Sequence, residues 1–278
     1  MDKIKDRIRD PVQVDPYPSI RWRYTIASLV TNKKQYGQMV ASFKDKGFSA
    51  EDCQFLYVDN SNGNTRGAFA LVNRLLRAGN DSEYLILAHQ DLLLLTDGRR
   101  ELDNKLSELS EIDPNWAICG NAGRTPCGAK VIRISDKYGA DQKSHINFPV
   151  EVLGLDENFL VIKSDACLSV SQKIDEFHFY GTELCLTASF LGRAAYVIDF
   201  HLKHLGDGKK GESFKTAQKK WAGLRSRFLA LRIAGSTAHV TVIGGNSLLR
   251  TAVSRLVTNR FLRRTGAVSM LYKLVNHR

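Results

Sequence analysis

The chain has 278 residues, 43% of them hydrophobic and 25% charged, with a formal net charge of +11. That composition is ordinary for a soluble globular protein and long enough for one large domain with or without an appendage. The opening MDKIKDRIRD is charged without an apolar core and does not read as a secretory signal; no stretch reaches the roughly 18 unbroken apolar residues of a spanning helix; and Cys53, Cys119, Cys127, Cys167 and Cys185, odd in number and without a CxxC pair, read as free thiols of a reducing cytoplasm.

TIASLVT at 25–31 reads as a strand, and residues 33–46 follow with helical spacing through Tyr36, Met39, Val40 and Phe43. QFLYVDN at 54–60 is a second strand ending in Asp and Asn. NTRGAFALVNRLLRAGN is a helix placed after an Asn-Gly turn, with Gly79 behind it. YLILAHQD is a third strand, 97–110 a polar helix, and WAICGNAG at 116–123 a fourth strand. This βαβαβαβ alternation predicts an α/β fold, a mostly parallel sheet flanked by helices. The right-handed crossover then brings Thr31, Asp59 and Asp91 to one edge, where open α/β sheets bind ligands.

From about 124 to 150 the pattern breaks into loops with a short hairpin. VEVLGLDENFLVIKSDACL reads as two short strands, FYGTELCLTASFLG as a helix, AAYVIDF as a strand and HLKHLGDG as a polar exit. The tail has another character. Residues 1–208 carry 25 Lys and Arg against 28 Asp and Glu; residues 209–278 carry 15 against the single Glu212. Phe214, Ala217, Trp221, Leu224, Phe228 and Leu231 form a helical stripe with Lys215, Lys219, Lys220, Arg225, Arg227 and Arg232 off it, and a second helical stretch covers about 246–275. The expected division is a domain at 1–208 and a basic amphipathic extension at 209–278, whose charge suits an anionic membrane surface or nucleic acid. The aromatics lie on one apolar stripe and are not interleaved with the charges, which favours packing or membrane contact over nucleic acid.

No P-loop, GxGxxG, GxSxG or HExxH is present. Chemistry must come from separate strand ends: Asp59, His89-Gln90-Asp91, Asp156 in a turn, His178, Tyr180 and Glu183 near one helix, and His201 and His204 in the polar exit. A carboxylate and an imidazole, Asp91 with His204, can hold a divalent metal whose other positions go to phosphate and water. His178 and His201 read as structural, and Trp116 and the strand cysteines as core.

In order, IASLVTNKKQYGQMVASF, FLYVDNSNGNT, ALVNRLLRAGNDSEYLILAHQDLLL and FHFYGTELCLTASFLGRAAYVIDFHLKHLGDG resemble successive segments of the GT-A glycosyltransferases of family 2, over roughly residues 24–208. The resemblance implies a GT-A catalytic domain and a metal-dependent, inverting glycosyltransferase using Mn2+ or Mg2+. Its partners would be a nucleotide-sugar donor and a glycan or lipid-linked acceptor, as in bacterial surface polysaccharide assembly. It implies that Asp59 binds the base, that Asp91 binds metal and diphosphate, that His204 is a further metal ligand and that Glu183 is the general base, with Asp156 its rival. Thr31, Asn73 and His89 complete the expected nucleotide-contacting set. His89 stands where most members carry the first Asp of Asp-X-Asp, as in a subgroup with His-Gln-Asp, which leaves open whether it meets ribose, metal or neither. Gly181-Thr182-Glu183 offers one carboxylate where the family has an acidic pair. A non-catalytic nucleotide-sugar-binding protein and a nucleic-acid-binding protein stand as alternatives. The expected location is the cytoplasm, with peripheral contact at the inner membrane face through residues 213–278, and a homo-oligomer is compatible.

Overall fold

The computed structural model describes residues 19–63, 66–206, 211–229, 232–235, 240–243, 247–258 and 270. The chain divides into two compact units, Met1–Gly208 and Lys209–Arg278.

The first unit begins with β1 (Trp22–Val30), α1 (Lys33–Asp45), β2 (Cys53–Asp59), α2 (Ala68–Ala78) and β3 (Ser82–Ala88). The apolar runs in β1 and β3 are buried almost throughout, as expected of strands covered on both faces. The α1 helix starts where Asn32 Oδ1 accepts from the amides of Lys34 and Gln35, satisfying two of the amides that the first turn leaves without partners. In the order β2-β1-β3 the strands are parallel, with Val30 opposite Asp59 and Ala27 opposite Leu87. Asp59, Thr31 and Gln90 therefore reach one edge of the sheet.

After β3 come β4 (Leu92–Leu93), α3 (Arg99–Ile112), β5 (Ile118–Gly120), β6 (Ala122–Arg124), β7 (Lys130–Ser135), β8 (Asp141–Lys143), β9 (Val150–Glu151), β10 (Gly154–Leu155), β11 (Phe159–Lys163), α4 (Tyr180–Phe190), β12 (Ala195–Val197) and β13 (Leu202–His204). The main sheet runs β2-β1-β3-β11-β5-β12-β9. It is mixed: β11 enters between β3 and β5, antiparallel to both, so WAICGNAG is not the neighbour of β3. A second sheet runs β10-β6-β7-β13-β4, with β8 on β7. The short hairpin expected among the loops at 124–150 is β7–β8. Leu202–His204, in the stretch expected to be a polar exit, is a strand of that second sheet.

One core cluster joins Tyr24, Ile86, Trp116, Phe159 and Phe200 across the sheet. Trp116 lies flat on Tyr84, ring centroids 6.0 Å apart and planes 4° apart. Each such side chain, once buried, contributes about 1.5–3 kcal/mol. All five cysteines are free; Cys53, Cys119 and Cys185 are buried, and Cys127 and Cys167 are exposed.

The second unit contains α5 (Glu212–Leu229), the hairpin β14 (Arg232–Gly235) and β15 (Val240–Ile243), and α6 (Ser247–Thr258). On α5, Ala217 is buried, Phe214, Trp221 and Leu224 are half-buried, and Lys215, Lys219 and Lys220 are exposed. Phe228, Leu231, Arg227, Arg232 and most of the stretch predicted beyond 258 lie outside the described side chains. No helix among the described residues is long and apolar enough to cross a membrane.

Candidate metal centre

The end of β3 explains why a buried strand closes on His-Gln-Asp and then returns to leucine. The amide of His89 donates to Asn158 O at 2.9 Å, carrying the β3–β11 ladder one residue past Ala88. Gln90 turns the other way. Its Oε1 accepts from the amides of Thr31 and Asn32, each at 2.8 Å, and its Nε2 donates to Thr31 Oγ1 at 2.8 Å, tying the ends of β1 and β3 together. Leu92 and Leu94 then re-enter the core.

Asp91 and His204 meet because β4 and β13 pair antiparallel, with Leu92 opposite His204, and because the Leu205 amide donates to Asp91 O. His204 Nε2 lies 3.4 Å from Asp91 Oδ1, and His89 Nδ1 lies 3.9 Å from the same oxygen. One ligand atom from each residue falls within 4.8 Å of the others. Burial works against ionisation of Asp91, but the hydrogen bond and charge of His204 and the charge of His89 outweigh it and hold the carboxyl below its ordinary value. Desolvation lowers the His89 imidazole against the pull of Asp91, which favours the neutral ring that a metal needs.

The donor set fits a divalent ion, and so does the space around it. Gly206 faces the cluster: a Cβ there would lie 2.8 Å from Asp91 Oδ2 and 2.8 Å from His204 Cε1. Only glycine leaves that side of the cluster open.

His89 and Asp91 of this cluster line a cleft of about 330 Å³, together with the polar Thr31, Asn60, Gln90, Glu157 and Tyr180 and the apolar Ala27, Leu29, Val72 and Leu87. Tyr180 Oη lies 3.1 Å from His89 Nε2 and donates to Glu157 O at 3.2 Å. The Glu157 carboxylate accepts from the Phe179 amide at 2.6 Å. Burial pushes the Glu157 carboxyl up to about 7, against that hydrogen bond and with help from the charge of Asp156.

The remaining expected residues fall in different places. Asp59 is at the strand-end edge, where Lys33 Nζ lies 2.7 Å away and the Ser61 amide and hydroxyl both donate to Oδ1. Lys33 first, then Ser61, holds its carboxyl well below the ordinary value. Asn73 is not at the cleft: its amide group bonds both the carbonyl and the N–H of Val170. Glu183 is 1% exposed, accepts from the Ser171 amide at 3.0 Å and does not line the cleft. Asp156 is exposed and also outside the cleft lining. The absence of an acid at position 181 has a steric cause, since a Cβ on Gly181 would stand 2.6 Å from Leu155 O. His201 is held between Thr96 and Ser135. The sequence reading gave no role to Glu157 or Gly206, and it named Tyr180 and Gln90 without assigning them one.

No family model matches the chain. A protein of Fuscovulum blasticum described as ATP synthase subunits region ORF 6 is 32% identical to it over 228 residues, which are 80% of this chain and 91% of that protein. The chain belongs to the family of that ORF 6 protein. Among solved structures, the ORF 6-family chain is similar to GalNAc-T7 crystallised with UDP, GalNAc and Mn2+ (8% identity, 77% of this chain and 51% of that one, TM-score 0.49). It is also similar to S. aureus TarS 1–349 (9%, 72% and 64%, 0.45) and to A197 from STIV (13%, 66% and 86%, 0.42).

Proposed function

We propose that this ORF 6-family chain is a metal-dependent glycosyltransferase that moves a sugar from a nucleotide-sugar donor to an acceptor hydroxyl. The observation that carries the reading is the cluster of His89, Asp91 and His204, two of which, His89 and Asp91, line the cleft at the carboxyl ends of β1 and β3, where open α/β sheets take nucleotides. The ordered resemblance of residues 24–208 to family 2 transferases supports it.

His89, Asp91 and His204 would hold the ion, which supplies positive charge to a leaving diphosphate. Thr31 in the cleft and Asp59 at the adjacent strand end would meet the nucleoside. The acceptor oxygen forms a bond to the anomeric carbon as the bond from that carbon to the phosphate oxygen breaks in line, inverting the centre. The hydroxyl proton passes to a carboxylate, and the nucleoside diphosphate departs. We assign that carboxylate to Glu157, which lines the cleft and titrates at about 7, near the best value for a base at neutral pH. Glu183 and Asp156 are set aside on burial and position. The basic second unit would hold the enzyme at an anionic membrane carrying a lipid-linked acceptor.

Calorimetric titration of a nucleoside diphosphate into the full chain, with EDTA and then with Mn2+, tests the reading. Tighter binding with Mn2+, together with release of free sugar from one member of a nucleotide-sugar panel, is expected. Equal affinity in both conditions and no donor turnover would remove it.

A further inference from the structure

The hydroxyl of Tyr180 has one hydrogen and two neighbours. Glu157 O, 3.2 Å away, is a carbonyl and can only accept. Both contacts are hydrogen bonds at once only when the hydrogen points there and the Tyr180 oxygen meets His89 Nε2, at 3.1 Å, with a lone pair. In a neutral imidazole the proton must then sit on Nε2, and Nδ1 is bare. Nδ1 is the atom that faces Asp91 Oδ1. We propose that His89 is a metal ligand through Nδ1, kept in that tautomer by Tyr180, and that the resulting set of two imidazoles and one carboxylate selects a first-row transition ion over Mg2+.

The geometry around Tyr180 is overdetermined, as a positioning device requires. Tyr180 is 5% exposed. It opens α4 directly after Phe179, whose φ of 79° is left-handed for a residue with a side chain; such a conformation is strained and persists where neighbours enforce it. The neighbour here is Glu157, which binds the Phe179 amide with its carboxylate and the Tyr180 hydroxyl with its carbonyl. Two ligands on a tetrahedral ion with bonds of about 2.1 Å stand about 3.4 Å apart. The His204–Asp91 separation of 3.4 Å already has that value, and the His89–Asp91 separation of 3.9 Å is close to it. Mg2+ prefers an oxygen shell and sheds water reluctantly, whereas imidazole nitrogen favours later first-row ions in the order Mn2+, Fe2+, Co2+.

The inference rests on the metal-dependent reading above, so the metal is tested without nucleotide. Co2+ is titrated into the untagged full chain and followed by its visible absorption, then competed with Mg2+. Co2+ bands that a hundredfold excess of Mg2+ leaves in place are the expected result (about a 100-fold or larger preference). Tyr180→Phe should weaken Co2+ binding about 10–100-fold with unchanged circular dichroism. His89→Asp, at a partly exposed strand end, should keep the fold and narrow the Co2+ preference over Mg2+ by at least about tenfold. Displacement of Co2+ by equimolar Mg2+, or equal Co2+ affinity in wild type and His89→Ala, would overturn the assignment. Selective Co2+ binding that leaves nucleoside diphosphate affinity unchanged would count against the transferase alone, so the two readings fail separately.

Discussion

The Phe179 amide donates to the Glu157 carboxylate across the entrance to α4, at 2.6 Å, yet burial still raises that carboxyl to about 7. The consequence for stability has an unusual sign. Most folded carboxylates titrate below their unfolded value and lose stabilisation as pH falls. Glu157 is raised above the ordinary value of 4.5, so the folded state binds more protons between the two values. Its contribution is greatest below about 4.5, declines as pH rises to about 7 and is flat above. Urea unfolding of wild type and Glu157→Gln at pH 5 and pH 8 reads this directly. The wild type should lose about 1–3 kcal/mol more than the variant over that interval. Parallel pH profiles would mean that Glu157 is not held protonated.

The same residue separates three candidate bases. Glu157→Gln keeps an oxygen for the Phe179 amide, so the fold should survive while transfer falls about 10²–10⁴-fold and donor affinity stays near wild type. Asp156→Asn, on an exposed side chain, should leave turnover unchanged. Glu183→Gln retains an acceptor for the Ser171 amide; it should cost about 1–2 kcal/mol of stability and leave turnover within a few-fold (roughly) of wild type. Steady-state kinetics of the three variants decide, and loss confined to Glu183→Gln would move the base into α4.

Gly206 offers a test that touches no ligand atom. Adding one methyl group places carbon 2.8 Å from both Asp91 Oδ2 and His204 Cε1, so these side chains must turn away from one another. Gly206→Ala should therefore weaken Mn2+ or Co2+ binding by at least about tenfold, with a melting temperature of the metal-free protein close to wild type. Unchanged metal affinity would show that the ion does not sit among these three residues.

The strand ends were legible because β1, β2 and β3 are short stretches rich in apolar residues and followed by polar ones, and parallel crossovers bring such ends to one edge. The meeting of Asp91 with His204 is expected from the metal chemistry of a carboxylate and an imidazole and from the resemblance, not from any local pattern. Its cause is the pairing of β4 with β13, two and three residues long, too short for any periodic signal. The insertion of β11 between β3 and β5 was equally hidden, since strand order is a tertiary choice that local pattern does not encode. Glu183 is a candidate through the resemblance of its helix to the family's catalytic-carboxylate helix; that helix buries it against Ser171. Asp156 and Glu157 are neighbours in sequence, and nothing local marks which carboxylate turns inward. Tyr180 was visible as a residue, but its role depends on a hydroxyl proton that only the carbonyl of Glu157 fixes.

The second unit carries the excess positive charge, and its reading as a membrane contact yields the last prediction. Lys215, Lys219 and Lys220 are exposed on α5, and Leu248 and Leu249 are 83% and 51% exposed on α6. Exposed lysines on one helix and exposed leucines on another suit an interface in which apolar side chains enter the acyl boundary and charges meet anionic headgroups. Each basic residue near such a surface adds about 1 kcal/mol. The full chain should co-sediment with vesicles containing phosphatidylglycerol, bind pure phosphatidylcholine weakly, and release as salt is raised, because the attraction falls off within a Debye length. Lys219→Glu/Lys220→Glu removes two favourable charges and adds two unfavourable ones, so binding should weaken by at least about 2 kcal/mol, or roughly 30-fold. Leu248→Ser/Leu249→Ser should weaken binding to the same vesicles at high salt, where the apolar contribution is left on its own. If the wild-type chain ignores anionic vesicles, the exposed lysines are a solvated face and the acceptor must reach the cleft without help from the membrane.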